Sequence, residues 1–276
     1  MEEILSNPLL STQEVNCKIC SNKSNFIFDL VVLNQHNVKY FQCCHCDFVQ
    51  TSEVFWLDQA YSQNISKFDT GIARRNLKVA LHLNALLNHL KNRGQFLDWA
   101  GGTGLLVRLM RDMGYDFYFY DKYERNVFAP GYDVMNLKER PRVVSLIEVM
   151  EHLENPKDTL SEIIKFSPDL IVMTQELLPE KITTDWWYLA PFAGQHISFY
   201  SEKTFRHLAQ LFEMSYFRIG NFHLLSRGRP FSRSRYIALK IVFRISFVFG
   251  GNLLKGNGFQ VDFNSQVRKN SLEANG

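Results

Sequence analysis

Three groups of residues in this 276-residue chain have types and spacings that could do chemistry. The first is Cys17-Lys18-Ile19-Cys20 with Cys43-Cys44-His45-Cys46, two CxxC pairs with 22 residues between them. The second is an acid ahead of a run of small residues, Asp98-Trp99-Ala100-Gly101-Gly102-Thr103-Gly104. The third gathers carboxylates and imidazoles at Glu148-Val149-Met150-Glu151-His152 and again at His196.

A two-residue gap lets two thiolates of one tight turn face a single tetrahedral ion, and two such turns complete four sulfur ligands. The expected set is Cys17, Cys20, Cys43 and Cys46, holding a structural zinc ion. Cys44 and His45 could each replace a neighbour, but Cys43 and Cys46 alone have the required spacing. All five cysteines fall in the first 46 residues, which fits local metal binding in a reducing compartment better than a disulfide framework. Reduced, unligated thiols and an iron–sulfur cluster are the alternatives. Four sulfurs would leave no open position, so this ion should hold structure rather than catalyse.

The small-residue run needs a strand before it and a helix after it, and the sequence supplies both. Phe96 to Trp99 reads as a short apolar strand, and Leu105 to Met113 as an amphipathic helix closing at Gly114. Such a turn lets backbone approach a ligand at a helix N-terminus. Ahead of it, apolar residues at helical spacing from Ile72 to Lys91 predict a helix ended by Asn92-Arg93-Gly94. Phe117–Tyr120, Val143–Ile147 and Leu170–Met173 read as further strands, with a helix started by Asn155-Pro156 between the last two. Strands alternating with helices mean a mostly parallel, doubly wound sheet. Phe26–Val32 and Val38–Gln42 read as strands of the cysteine module, and residues 51–70 as its join to the sheet.

Two ligand classes compete for such a turn. A dinucleotide wants G-x-G-x-x-G directly after the strand, but here the third glycine position is Val107 and Asp98 would repel a pyrophosphate. A cofactor with an amino group and a sulfonium has the opposite need, and a nearby carboxylate suits both charges.

With those residues in place, the chain resembles class I S-adenosylmethionine-dependent methyltransferases over about residues 72 to 220. Asp98, Gly102 and Gly104 match the family's acid-x-Gly-x-Gly-x-Gly motif, and Ala100 replaces its first glycine. The resemblance implies that Asp121, ending the second strand, accepts hydrogen bonds from the cofactor ribose. It places Asp133 near the adenine, a looser match. Glu148 to His152 is similar to the "E-V-x-E-H" element of small-molecule methyltransferases, with Glu148 on the cofactor side. The implied fold is α/β: a doubly wound, mostly parallel, seven-stranded Rossmann-like sheet with a small zinc module.

His196, just before Ser198-Phe199-Tyr200-Ser201, resembles a frequent active-site histidine of that subgroup. An imidazole titrates near neutrality, so His196, or else His152, could take the acceptor's proton. Trp186 and Trp187 lie in an aromatic segment, 183–192, that suits a sugar ring or another flat acceptor; a packing loop is the bland alternative. Phe217 and Leu224 centre two short final strands.

The expected division is a zinc module over 1–65, a methyltransferase domain over 66–226 and a basic extension over 227–276. Within the extension, 233–249 reads as an apolar helix carrying Lys240 and Arg244. It could lie on an anionic membrane surface, on the sheet or on a second subunit. Few basic residues precede residue 60 (Lys18, Lys23, Lys39), which argues against nucleic-acid binding. The acidic start Met1–Leu5 carries no apolar leader and no stretch reaches the length of a membrane span, so the expected location is cytoplasmic, with peripheral contact at the inner membrane face as an option.

The expected function is methyl transfer to a small acceptor, with sugars of polysaccharide or natural-product pathways as candidates. A noncatalytic cofactor-binding or assembly protein is the alternative. The acceptor atom and the oligomeric state are not legible in the sequence.

Overall fold

The structure is a computed structural model that describes residues 14–62, 70–91, 93–228, 232–253 and 268. Met1–Leu5, Asn92 and, apart from residue 268, the end beyond Leu253 lie outside the described residues. In chain order, strands β1 (Glu14–Asn16), β2 (Lys23–Val32), β3 (His36–Cys43) and β4 (Val49–Thr51) precede helices α1 (Leu57–Ala60) and α2 (Ile72–Leu90). Then come β5 (Gln95–Trp99), α3 (Leu105–Asp112), β6 (Asp116–Tyr120), β7 (Val143–Ile147), α4 (Pro156–Lys165) and β8 (Leu170–Thr174). The two-residue β9 (Ser198–Phe199), α5 (Glu202–Leu211), β10 (Ser215–Ile219), β11 (Phe222–Ser226) and α6 (Arg233–Leu253) complete the fold.

The large sheet has the order β10-β11-β8-β7-β5-β6. Strands β5 to β8 run parallel, and the hairpin β10–β11 joins them antiparallel through β11. Six strands stand where seven were expected among the described residues. The seventh is reduced to one parallel bridge between Phe119 and Asp133. Its segment contains Pro130-Gly131 and then mostly exposed polar residues, Asn136 to Arg140, so it has no apolar alternation to bury.

Strand alternation sorts the core onto two faces. Phe96, Phe117, Val143, Val172 and Leu224 pack with α2, α3 and α6 on one side. Leu97, Trp99, Val144, Leu146, Ile171, Met173 and Leu225 face α4 and α5 on the other, together with Cys17, Ile19, Cys46 and Phe48. The period of two along each strand does this sorting.

The cysteine module does not end at its own strands. A five-stranded sheet of order β1-β2-β3-β4-β9 takes its last strand from the far end of the chain, with Val49 opposite Phe199 and Gln50 opposite Ser198. Trp56 Nε1 donates to the Gly194 carbonyl at 2.8 Å, and Leu33 N donates to Pro191 O at 2.8 Å.

Three local expectations change. α2 ends on Lys91 in the left-handed conformation (φ 52°), before Gly94 is reached. Asn155 precedes α4 without a side-chain cap bond, while Pro156 does occupy its first turn. The carboxyl-terminal helix packs Leu239 and Phe243 into the core with α2, whereas Ile237, Ile241 and Ile245 are exposed. No helix among the described residues is long and apolar enough to cross a membrane.

Candidate active site and metal centre

The four expected thiols converge. Cys17 Sγ lies 3.6 Å from Cys46 Sγ, and Cys20 Sγ lies 3.4 Å from Cys43 Sγ. With zinc–sulfur bonds of about 2.3 Å, a tetrahedral site spaces its sulfurs about 3.8 Å apart, so the set fits one zinc ion with little adjustment. Backbone N–H groups of Ile19, His45 and Cys46 point at Cys17 and Cys43 sulfurs, as groups around a thiolate site do. The Cys46 hydrogen bond pulls the Cys17 thiol down to about 5. Cys44 turns outward and donates to the Lys23 carbonyl, and the His45 ring packs edge-on to His207. Neither belongs to the four.

The glycine turn leaves β5 at the carboxyl edge of the sheet. Ala100, Gly102 and Gly104 have φ values of +57°, +58° and +81°. Only glycine adopts this region without cost, which explains the family's glycine at position 100 and makes Ala100 a strained substitute. A Cβ on Gly102 would meet nothing within 4 Å, so its open side faces space. A Cβ on Gly101 would come within 2.8 Å of Asp98 Oδ2, and one on Gly104 within 2.5 Å of Asn126 Oδ1.

Asp98 lies beneath this turn rather than in its open side. It is only 2% exposed, and it accepts a hydrogen bond from Ser145 Oγ at 2.6 Å. Burial pushes its carboxyl up to about 7, with Ser145 opposing and the Asp121 charge adding to the rise. Its carboxylate is covered by protein and lies next to the glycine turn.

Asp121 is half-buried at the end of β6. Its Oδ2 accepts from Gly102 N at 2.9 Å, and its Oδ1 from Tyr123 N at 2.8 Å and Glu124 N at 2.9 Å. Asp133 accepts from Asn126 Nδ2 at 3.2 Å, and Val127 and Phe128 N–H groups both donate to Thr103 O. The segment after β6 is thus folded onto the glycine turn, and Asp133 stands at its rim.

The neighbouring strand ends complete the edge. Glu148 follows β7 with φ +55°, and Thr174 at the end of β8 donates its hydroxyl to Glu148 Oε1 at 2.8 Å. Three residues on, Glu151 is buried, and Tyr188 OH donates to its Oε1 at 2.8 Å. Burial raises Glu151 to about 7, offset by its own backbone N–H, the Tyr188 hydroxyl and the Arg75 charge. His152 and His196 meet edge to face with ring centroids 4.9 Å apart.

His196 is held from several sides. Its Nδ1 lies 2.6 Å from the Tyr188 carbonyl, which requires the proton on Nδ1 and leaves Nε2 unprotonated in the neutral ring. The next residue, Ile197, donates its N–H to Glu151 O at 2.9 Å, while its carbonyl accepts from Thr51 N at 3.2 Å. His152 Nδ1 lies 3.0 Å from Tyr61 OH and 3.1 Å from Gln195 O. Trp186 packs against Phe199, whereas Trp187 is 70% exposed and lies edge-on to Tyr188, which in turn touches the His196 ring.

The structure therefore joins His152 with His196, and the glycine turn with Asp121. Ser145, Tyr61, Tyr188 and Asn126 were missed, because each acts through a partner 7 to 91 residues away in sequence. No periodic or spacing signal marks such a contact.

No curated protein matches the chain. Among solved structures, it is similar to a methyltransferase of calicheamicin biosynthesis in its SAH-bound form (14% identity, 54% of either chain, TM-score 0.38). It thus spans about half the length of that protein. It is also similar to the Burkholderia thailandensis 1,6-didemethyltoxoflavin-N1-methyltransferase (12% identity, 72% of this chain and 97% of that one, TM-score 0.48). Human N-acetylserotonin methyltransferase matches at 13% identity over 64% of this chain and 59% of its own, with a TM-score of 0.42. The profile of the methyltransferase-domain family matches residues 72–214, just over half of the 276 residues. The chain belongs to that family.

Proposed function

We propose that this chain methylates a hydroxyl of a small, ring-shaped acceptor, a sugar being the favoured class, seated between Trp187 and the His152–His196 pair. The observation that carries this reading is the His196 ring. Its tautomer is set by the Tyr188 carbonyl, it stands at the carboxyl edge of the sheet, and an exposed tryptophan is two contacts away. Flat aromatic faces take the apolar side of a sugar ring, and the polar groups beside them fix its hydroxyls.

When bound, S-adenosylmethionine supplies an electrophilic methyl group on a sulfonium. Gly102 offers it open backbone, with Asp121 and Asp133 on the rim of the same turn and Glu148 at the next strand end. Asp98 and Ser145 act beneath, holding the turn's shape. His196 Nε2 has the protonation state to accept the acceptor's hydroxyl proton as its oxygen forms the new bond. Alignment and exclusion of water supply the rest of the acceleration.

Calorimetry with S-adenosylmethionine against NADH, followed by a demethylated-cofactor release assay over a panel of nucleotide-linked sugars, tests the reading. Binding of the first cofactor alone, with turnover on a sugar, is expected. No binding of S-adenosylmethionine at millimolar concentration would sink it. His196→Ala should leave cofactor binding intact and slow transfer by about 100-fold or more; equal turnover would remove His196 from this role.

A further inference from the structure

The carboxylate beside the histidine pair is only partly satisfied. Glu151 is 1% exposed, and while Oε1 is occupied by Tyr188, Oε2 is buried with no hydrogen-bond partner. A buried carboxylate oxygen without a donor costs about 1–3 kcal/mol or more, so such an atom needs an explanation. One carboxylate oxygen of Glu151 and one ring nitrogen from each of His152 and His196 lie within 4.8 Å of one another.

Two imidazoles and a carboxylate form a ligand set that divalent first-row metals accept, with the remaining positions open to water or substrate. For donors at about 2.1 Å from an ion, neighbouring donors sit about 3 Å apart, so modest side-chain rotation would close the set. The surroundings are also those of a metal site. In both rings Nδ1 is the nitrogen engaged by outer groups: the Tyr188 carbonyl for His196, and Tyr61 OH with the Gln195 carbonyl for His152. An ion held through Nε2 of each ring would leave these Nδ1 contacts in place. Fixing a ligating histidine through its other nitrogen is the usual arrangement around protein-bound metals. Tyr188 additionally holds the ligating carboxylate, and the Arg75 charge favours its ionised form.

We propose that Glu151, His152 and His196 bind one divalent cation, distinct from the four-cysteine site, and that its open positions take an oxygen of the acceptor. This rests on the reading of these residues as the acceptor site and changes one part of it: with the ion bound, the acceptor coordinates through oxygen, and His196 serves as a ligand in place of its role as base. A hydroxyl bound to such an ion loses its proton more readily. Its proton then passes to solvent, its oxygen bonds to the methyl carbon, and the methyl–sulfur electron pair stays on sulfur.

The test uses the full chain loaded with zinc, titrated with Mn2+ and followed by the electron paramagnetic resonance of unbound Mn2+. One Mn2+ per chain beyond the cysteine-bound zinc is expected, without cofactor or acceptor present. Glu151→Gln and His196→Asn should each weaken that binding by about tenfold or more, with the zinc content unchanged. Should Glu151→Gln fail to fold, His152→Asn takes its place. Absence of Mn2+ binding up to millimolar concentration, or equal binding in the variants, overturns the proposal. If S-adenosylmethionine still binds and turnover persists while Mn2+ does not bind, only the metal site fails; if the cofactor does not bind, the function itself fails whatever Mn2+ does.

Discussion

Gly102 donates its backbone N–H to the Asp121 carboxylate at 2.9 Å, which ties the turn after β5 to the end of β6. The same carboxylate caps the N–H groups of Tyr123 and Glu124, so one side chain joins the glycine turn to the segment after β6. Charge-assisted bonds of this kind are about twice as strong as neutral ones. Asp121→Ala should weaken S-adenosylmethionine binding by about tenfold or more and lower Tm, because three backbone donors lose their acceptor. Calorimetry and thermal unfolding check both; unchanged affinity would show that the cleft keeps its shape without Asp121.

The turn itself separates two glycine positions. Ala100→Gly relieves a left-handed residue (φ +57°) and should stabilise the chain by about 0.5–1 kcal/mol, the steric relief exceeding the added chain entropy. Gly104→Ala should do the reverse by about 1–3 kcal/mol. Its new methyl group would sit 2.5 Å from Asn126 Oδ1, and Asn126 anchors the segment through Ala129 O at 2.6 Å. Urea unfolding of the two variants should move in opposite directions.

Asp98 sets a pH dependence. Its carboxyl is raised to about 7 in the fold, from 3.8, by burial above all. The native state therefore holds a proton that the unfolded chain releases at lower pH, and this contribution is full at acid pH and lost as pH rises through about 7. The cofactor-free protein should lose stability between about pH 4 and 7 relative to Asp98→Asn, whose profile should be flatter. Parallel Tm curves for the two would remove Asp98 as the source.

Removing the cysteine-bound ion should reach beyond the module. Phe48 and Cys46 share a core with Leu97 and Tyr200, and Thr204 Oγ1 donates to the Cys46 carbonyl at 2.8 Å. Chelation under reducing conditions, or Cys17→Ser, should lower the Tm of the entire chain by about 10 °C or more. Metal analysis paired with calorimetry checks this, and a zinc-free protein with an unchanged transition would contradict it.

Trp187 is exposed, so removing its indole should leave stability within about 0.5 kcal/mol. If it forms one wall of the acceptor site, Trp187→Ala should raise the acceptor KM by about tenfold with a smaller effect on kcat. Steady-state kinetics on the best sugar substrate gives the answer.

The sequence by itself determined whatever depends on local spacing. The CxxC pairs, the acid in β5 and the glycines after it, the strand–helix alternation and the closing hairpin each occupy a few consecutive residues, and each folds as its residue types require. The tertiary structure decided what depends on distant neighbours. The burial of Asp98 and its bond from Ser145, 47 residues further along, are of this kind. The sheet of the cysteine module closes on Ser198 and Phe199, so the segment beside His196 is held by residues near the amino terminus. The pairing of His152 with His196 and the bare Glu151 oxygen between them arise only when β7, β9 and the Tyr188 turn meet. Burial and hydrogen bonding are properties of the assembled chain, and a one-dimensional pattern carries them only where partners are close in sequence.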